Sequence, residues 1–162
     1  MTHGVAIAGC GLIGQKRARA IPGARLVACS DLERERAEAL ARRAPRAVAT
    51  ADWQSAIDRP DVDIAVVATR NDVLAAVSRF AVEAGKHALV EKLAARSVAE
   101  IDGLIDAAGR CGRLARVGFN HRYHPALLKA RALFDSGAQA PAFPTPARHW
   151  PSSRTRTASQ DS

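Results

Sequence analysis

The stretch Val5-Ala6-Ile7-Ala8-Gly9-Cys10-Gly11-Leu12-Ile13-Gly14 decides how this chain is read. An apolar run suited to a buried strand leads directly into Gly-x-Gly-x-x-Gly, and a helix-like stretch, Gln15 to Ala20, follows. Glycine pairs are common in turns, so the motif alone is weak. Set between a strand and a helix start, it becomes a phosphate site with a mechanism. Gly9 allows a tight turn, Gly11 lets the backbone approach a pyrophosphate, and Gly14 lets helix and strand pack closely. The helix start, with Leu12 and Ile13 counted in the same binding loop, offers N–H groups and a positive dipole end to an anion.

The next apolar run, Leu26-Val27-Ala28-Cys29, ends at Ser30-Asp31. An acid about 20 residues beyond the glycines is where such a unit holds the adenosine ribose hydroxyls. Asp31 also suits an N-cap before Leu32-Glu33-Arg34, and the two roles are compatible. Its charge repels a 2′-phosphate, so NAD is favoured over NADP; Arg34, within reach of the same site, weighs the other way.

With 162 residues, 48% of them hydrophobic and 25% charged, the chain reads as globular, one domain with a modest remainder. No apolar stretch approaches the roughly 20 residues of a membrane span, and Met1-Thr2-His3-Gly4 lacks the pattern of a secretory signal. Cys10, Cys29 and Cys111 are odd in number and far apart, which suggests reduced thiols in a cytoplasmic protein and no metal site. The net charge of +8 raises the question of nucleic acid. Its arginines are dispersed, and Arg34, Arg36, Arg42 and Arg43 share a segment with Glu33, Glu35 and Glu38, the pattern of a solvated helix face. Specific nucleic-acid binding is therefore not expected, and the charge favours anionic cofactors.

Further along, residues Leu32 to Arg43 are expected to be helical, with Leu32, Ala37, Leu40 and Ala41 available for burial. A short strand at Ala47–Ala49 and a short helix capped by Asp52 come next. The aliphatic run Asp61–Ala68 suits an internal parallel strand. A helix over Asp72–Ala84 stopped by Gly85, a strand His87–Val90, a helix Ser97–Cys111 broken at Gly112, a strand Leu114–Phe119 and a helix Pro125–Phe134 complete the order. Such alternation specifies an α/β fold, a Rossmann-type doubly wound parallel sheet with helices on both faces. Ligands of such sheets lie outside the carboxyl ends of the strands. The residues there are Gly9 to Gly14, Asp31, Thr69-Arg70-Asn71, Glu91-Lys92 and Asn120-His121-Arg122-Tyr123. Lys92 suits a general acid or base if partial burial and nearby positive charge lower its pKa; an exposed Glu-Lys pair is the competing reading.

The order V-A-I-A-G-C-G-L-I-G, A-C-S-D, V-V-A-T-R-N-D, A-G-K-H-A-L-V-E-K and V-G-F-N-H-R-Y-H-P resembles the Gfo/Idh/MocA oxidoreductases from about Val5 to about Gly137. The A-G-K-H-x-x-V-E-K segment is the most specific part. The resemblance implies that Lys92 is the catalytic lysine, exchanging a proton with a substrate hydroxyl while hydride moves to NAD. It implies that Glu91 lies near the cofactor ribose, that Thr69 and Asn71 line the cofactor, and that Asn120 faces the nicotinamide. Arg122 and Tyr123 would lie on the side of a sugar or polyol substrate. The family usually reads Glu-Lys-Pro, where this chain has Leu93, which puts the aim of Lys92 in doubt. It often reads Ala-Thr-Pro-Asn; here Arg70 replaces the proline and is expected to project into solvent.

Members of the family carry a second domain with an Asp-x-x-x-His pair, and none of the histidines here matches it. His87 is expected to be structural. From Ala138 the composition changes, with four prolines between Pro141 and Pro151. The expected organisation is a dinucleotide-binding domain over residues 1–137 and an irregular, disordered tail over 138–162, a truncated or frameshifted second domain. An isolated chain of this kind is expected to be impaired and to expose an association-prone surface; homo-oligomers stay open. A non-catalytic NAD(H)-binding or sensing module acting through a partner is the alternative.

Overall fold

The computed structural model describes residues 2–137. Two compact units are distinguished, Met1–Asn120 and His121–Ser162. The first holds a six-stranded, all-parallel sheet in the order β3-β2-β1-β4-β5-β6. The strands are β1 (Gly4–Ala8), β2 (Arg25–Ser30), β3 (Val48–Thr50), β4 (Ile64–Val67), β5 (His87–Val90) and β6 (Ala115–Val117). The chain leaves β1 in one direction for β2 and β3, then returns to the other side of β1 for β4. Adjacent strands β1 and β4 thus mark the topological switch point, where a crevice opens at their carboxyl ends.

Helices α1 (Leu12–Arg19), α2 (Arg34–Ala41), α3 (Trp53–Ile57), α4 (Leu74–Glu83) and α5 (Val98–Cys111) complete this unit. Every residue of β1 is buried, as a central strand covered on both faces requires. One core cluster packs Val5, Ile7, Leu40 and Val66 on one face, and the other packs Val67, Leu74, Val77 and Val90 on the opposite face.

Several element ends differ from expectation, each for a local reason. Helix α1 begins at Leu12 instead of Gln15, so Gly14 lies buried within its first turn. Strand β4 is shorter than the aliphatic run because Asp61 pairs with Arg59 and the Asp63 carboxylate accepts from the Gly4 N–H at 2.7 Å. Helix α4 starts at Leu74, since Asp72 is engaged by Arg70. Helix α2 starts at Arg34, which leaves Leu32 82% exposed instead of buried. Ser97 caps α5 by accepting from the Glu100 N–H, and Gly112 ends it in the left-handed region at φ 61°.

A 3-10 turn, Asn120–Tyr123, spans the boundary, and the described part of the second unit continues into helix α6 (Pro125–Asp135). Proline at the first position and the His124 imidazole, which accepts from the Ala126 N–H at 3.2 Å, start α6. Leu127, Leu128, Leu133 and Phe134 on it are exposed. The tail expected over 138–162 lies outside the described residues.

Candidate functional site

The glycine loop is built around two very close backbone approaches. Gly9 has φ +91°, and a Cβ there would lie 2.4 Å from the Ala68 carbonyl oxygen. A Cβ on Gly14 would meet the Gly9 carbonyl oxygen at 1.9 Å. Both positions are closed to any side chain by the fold itself. Gly11 is different: it has φ −66°, and nothing lies within 4 Å of its Cβ position. Its smallness serves no contact among the described residues, and the space it leaves opens onto the start of α1.

That space belongs to a cleft of about 410 Å³ along the carboxyl ends of β1, β2 and β4. Gly9, Gly11, Ser30, Asp31, Thr69 and Trp53 are among its lining residues. The Asp31 carboxylate accepts from the Cys10 N–H at 2.7 Å and from the Glu33 N–H at 3.0 Å. It therefore locks the glycine loop to β2 and also organises the turn into α2, while its remaining lone pairs stay available to hydroxyl donors. Ser30 is 1% exposed, and its hydroxyl oxygen is the buried side-chain polar atom without a partner among the described residues. An orphaned hydroxyl lining a cleft suits a ligand that completes it. The first N–H groups of α1 have no carbonyl partner within the helix and carry its positive dipole end. Open space at Gly11, helix N–H groups and an acid beside a hydroxyl fit a dinucleotide: the loop suits the pyrophosphate and Asp31 the ribose hydroxyls.

Of the arginines on α2, Arg36 and not Arg34 stands beside this cleft. Arg36 lines the cleft and pairs with Glu33 at 2.9 Å, whereas Arg34 pairs with Glu38 on an exposed helix face. Arg70 lines the cleft edge, yet its side chain is exposed and paired with Asp72. The Cys10 thiol, buried and in contact with the Cys29 thiol, is pushed above its ordinary range by that contact and by burial. All three cysteines are free.

A second polar centre forms at the carboxyl ends of β5 and β6. Glu91 is buried, and its Oε1 accepts from the guanidinium of Arg17 on α1. The same guanidinium donates to Asn120 Oδ1 at 2.8 Å. Arg17 was not singled out from sequence. Its three-residue offset from Gly14, facing the sheet, is the one trace of its role. Lys92, next to Glu91, is exposed, and the Lys92–Leu93 peptide is cis.

The predicted residues thus fall into groups. Gly9, Gly11, Asp31 and Thr69 share the cleft, and Glu91 and Asn120 share Arg17. Leu12 and Ile13 are exposed on the first turn of α1, and Asn71 is exposed in the turn after β4. Arg122 and Tyr123 are exposed in the second unit. His87 is structural: its Nδ1 accepts from the Leu114 N–H at 3.0 Å. Among the described residues no cluster of three or more metal-capable side chains occurs, and no helix is long and apolar enough to cross a membrane.

Residues 3–119 match the family model described as an oxidoreductase family with an NAD-binding Rossmann fold. The chain belongs to the Gfo/Idh/MocA family. Its fold is that of the family's N-terminal domain, and the cofactor in the family's description is the one expected from the glycine loop and Asp31. Over 142 residues the chain is 34% identical to inositol 2-dehydrogenase 2 of Saccharopolyspora erythraea, covering 85% of this chain and 42% of that protein. Levoglucosan dehydrogenase of Pseudarthrobacter phenanthrenivorans is 38% identical over 89 residues, 55% of this chain and 23% of that protein. GenD2 from gentamicin A biosynthesis, solved in complex with NAD, superposes with a TM-score of 0.77 at 29% identity, over 82% of this chain and 38% of the other. The chain spans about two-fifths of the length of the curated inositol dehydrogenases it matches.

Proposed function

We propose that this chain forms the NAD(H)-holding part of a dehydrogenase acting on a hydroxyl or carbonyl of a sugar or polyol. The cleft at the switch point carries the proposal, because Gly11 leaves room that no part of the described chain uses and Asp31 and Ser30 stand beside it. The relatives named as inositol and levoglucosan dehydrogenases support the substrate class.

In this reading, Gly9, Gly11 and Gly14, with Leu12 and Ile13, bring backbone N–H groups to the pyrophosphate, and Asp31 accepts from the adenosine ribose. Asp31 is also the reason to expect NAD over NADP, since its carboxylate would face a 2′-phosphate. Thr69 and Asn71 flank the cofactor, and Glu91 and Asn120 serve its nicotinamide half. Bound NAD supplies the hydride acceptor. Lys92 Nζ polarises the substrate hydroxyl and takes up its proton, a task for which an amine at a strand's carboxyl end is suitably placed. Arg122 and Tyr123 belong to the substrate side. A cytoplasmic setting belongs to the same reading, supported by the free thiols.

Lys92 is exposed, which favours a second reading as a non-catalytic NAD(H)-binding or sensing module. Calorimetric titration with NADH and NADPH, paired with turnover assays on inositol and anhydrosugars, separates the two. The dehydrogenase reading expects Lys92→Ala to keep NADH affinity within about twofold and to lose turnover by roughly a hundredfold or more. NADH binding without turnover by the parent chain selects the sensing module, and no binding of either nucleotide at millimolar concentration defeats both.

A further inference from the structure

The guanidinium of Arg17 is the hub of the second polar centre, and it bears on the nicotinamide half of the site proposed above. Arg17 projects from α1, the helix whose first turn closes the glycine loop, and reaches Glu91 at the end of β5 and Asn120 beyond β6. Its side chain is 18% exposed and that of Glu91 11% exposed, so the pair is shielded well beyond an ordinary surface ion pair. The backbone makes room for it: a Cβ on Gly118 would lie 2.7 Å from Arg17 Nη2, so glycine there admits the guanidinium. The Gly118 N–H donates to the Val90 carbonyl at 2.7 Å, which fixes this turn against the end of β5.

The chemistry of the bonds dictates an orientation. A guanidinium only donates, so Asn120 must present its oxygen to Arg17 and turn its amide nitrogen away. Both the hydrogen bond and the ion pair of Arg17 with Glu91 fall on Oε1, which fixes that oxygen toward α1. One arginine on the helix that follows the glycine loop therefore sets how a carboxylate and an amide are turned.

We infer that Arg17 is a positioning residue for the nicotinamide-riboside half of the cofactor, acting by orienting Glu91 and Asn120. It also neutralises the Glu91 carboxylate, which would otherwise repel an anionic dinucleotide. The inference rests on the dinucleotide reading of the cleft.

NADH and ADP test it by calorimetry on the full chain. ADP shares the adenosine and both phosphates of NADH and lacks the nicotinamide riboside. Arg17→Met is expected to weaken NADH by about tenfold while ADP affinity stays within about twofold. Arg17→Lys, which keeps the charge without the fork, is expected to fall between parent and Arg17→Met. Asn120→Ala, at an exposed position, is expected to repeat the NADH-selective loss more weakly. It carries the test if Arg17→Met does not fold. Equal losses for NADH and ADP would reduce Arg17 to a structural role and overturn the inference, as would unchanged NADH affinity in Arg17→Met and Asn120→Ala. A parent chain that binds ADP as tightly as NADH overturns it while sparing the nucleotide reading. A parent that binds neither rejects the nucleotide reading itself, and this inference with it.

Discussion

The two ends of the site differ in how finished they are. At β1 and β2, the glycine loop, Ser30 and Asp31 enclose a cleft held by backbone approaches and by two hydrogen bonds to one carboxylate. At β5, Glu91 is buried and held by Arg17, yet its neighbour Lys92 is exposed and Leu93 is 64% exposed. The first region has walls; the second has oriented polar groups beside exposed residues. Affinity for a dinucleotide needs mainly the first. Proton transfer in a water-excluded site needs the second to be covered.

The largest expected effect breaks the first region outright. Gly9→Ala places a methyl 2.4 Å from the Ala68 carbonyl oxygen at φ +91°. It is expected to cost roughly 3–5 kcal/mol in urea denaturation. Loss of under about 1 kcal/mol would mean that the loop is not packed as described. Gly11→Ala, two residues on, meets nothing within 4 Å. Its stability should stay within about 1 kcal/mol of the parent while NADH affinity falls on the order of a hundredfold. Retained NADH affinity would remove the pyrophosphate from this loop. Asp31→Ala sharpens the same region, narrowing the NADH over NADPH preference by about tenfold in paired titrations. An unchanged ratio would show that Asp31 only ties the loop to β2.

The smallest effect lies at the opposite, amino-terminal ends of the central strands β1 and β4 and is a control for the comparison. The Gly4 N–H beside Asp63 holds its carboxyl below the usual carboxylate range, with burial opposing and His3 assisting. A depressed folded pKa means that the ionised form stabilises the fold above the unfolded value, near 3.8, and that this is lost as pH falls through the folded value. Asp63→Ala should therefore be slightly less stable than the parent at pH 7, with the gap closing in acid. A pH-independent difference would mean that the charge contributes nothing. Because the Asp63 side chain is 51% exposed, the shift should be small.

How far the sequence reaches is clear from particular residues. Strand–loop–helix order was legible because periodicity and glycine placement are local properties, and all six strands occur where apolar runs predicted them. Element ends were less so. Leu32 has the spacing of a buried helical residue, but Asp31 spends its carboxylate on the Cys10 and Glu33 N–H groups and α2 starts later. Gly9, Gly11 and Gly14 were legible as a set, though not as two kinds of glycine. Only the positions of Ala68 and of the Gly9 carbonyl separate those closed by the fold from the one left open. Arg17 was invisible because its partners lie 74 and 103 residues away.

The sequence by itself determined a parallel α/β sheet, a Gly-x-Gly-x-x-Gly loop between strand and helix and an acid at the end of the second strand, since each follows from short-range pattern and backbone sterics. Tertiary structure alone decided which side chains meet. It placed Arg36 instead of Arg34 at the cleft, left the Ser30 hydroxyl in its wall without a partner among the described residues, and joined Arg17 to Glu91 and Asn120. Those meetings depend on how strands distant in the chain align side by side, and no local signal carries that information.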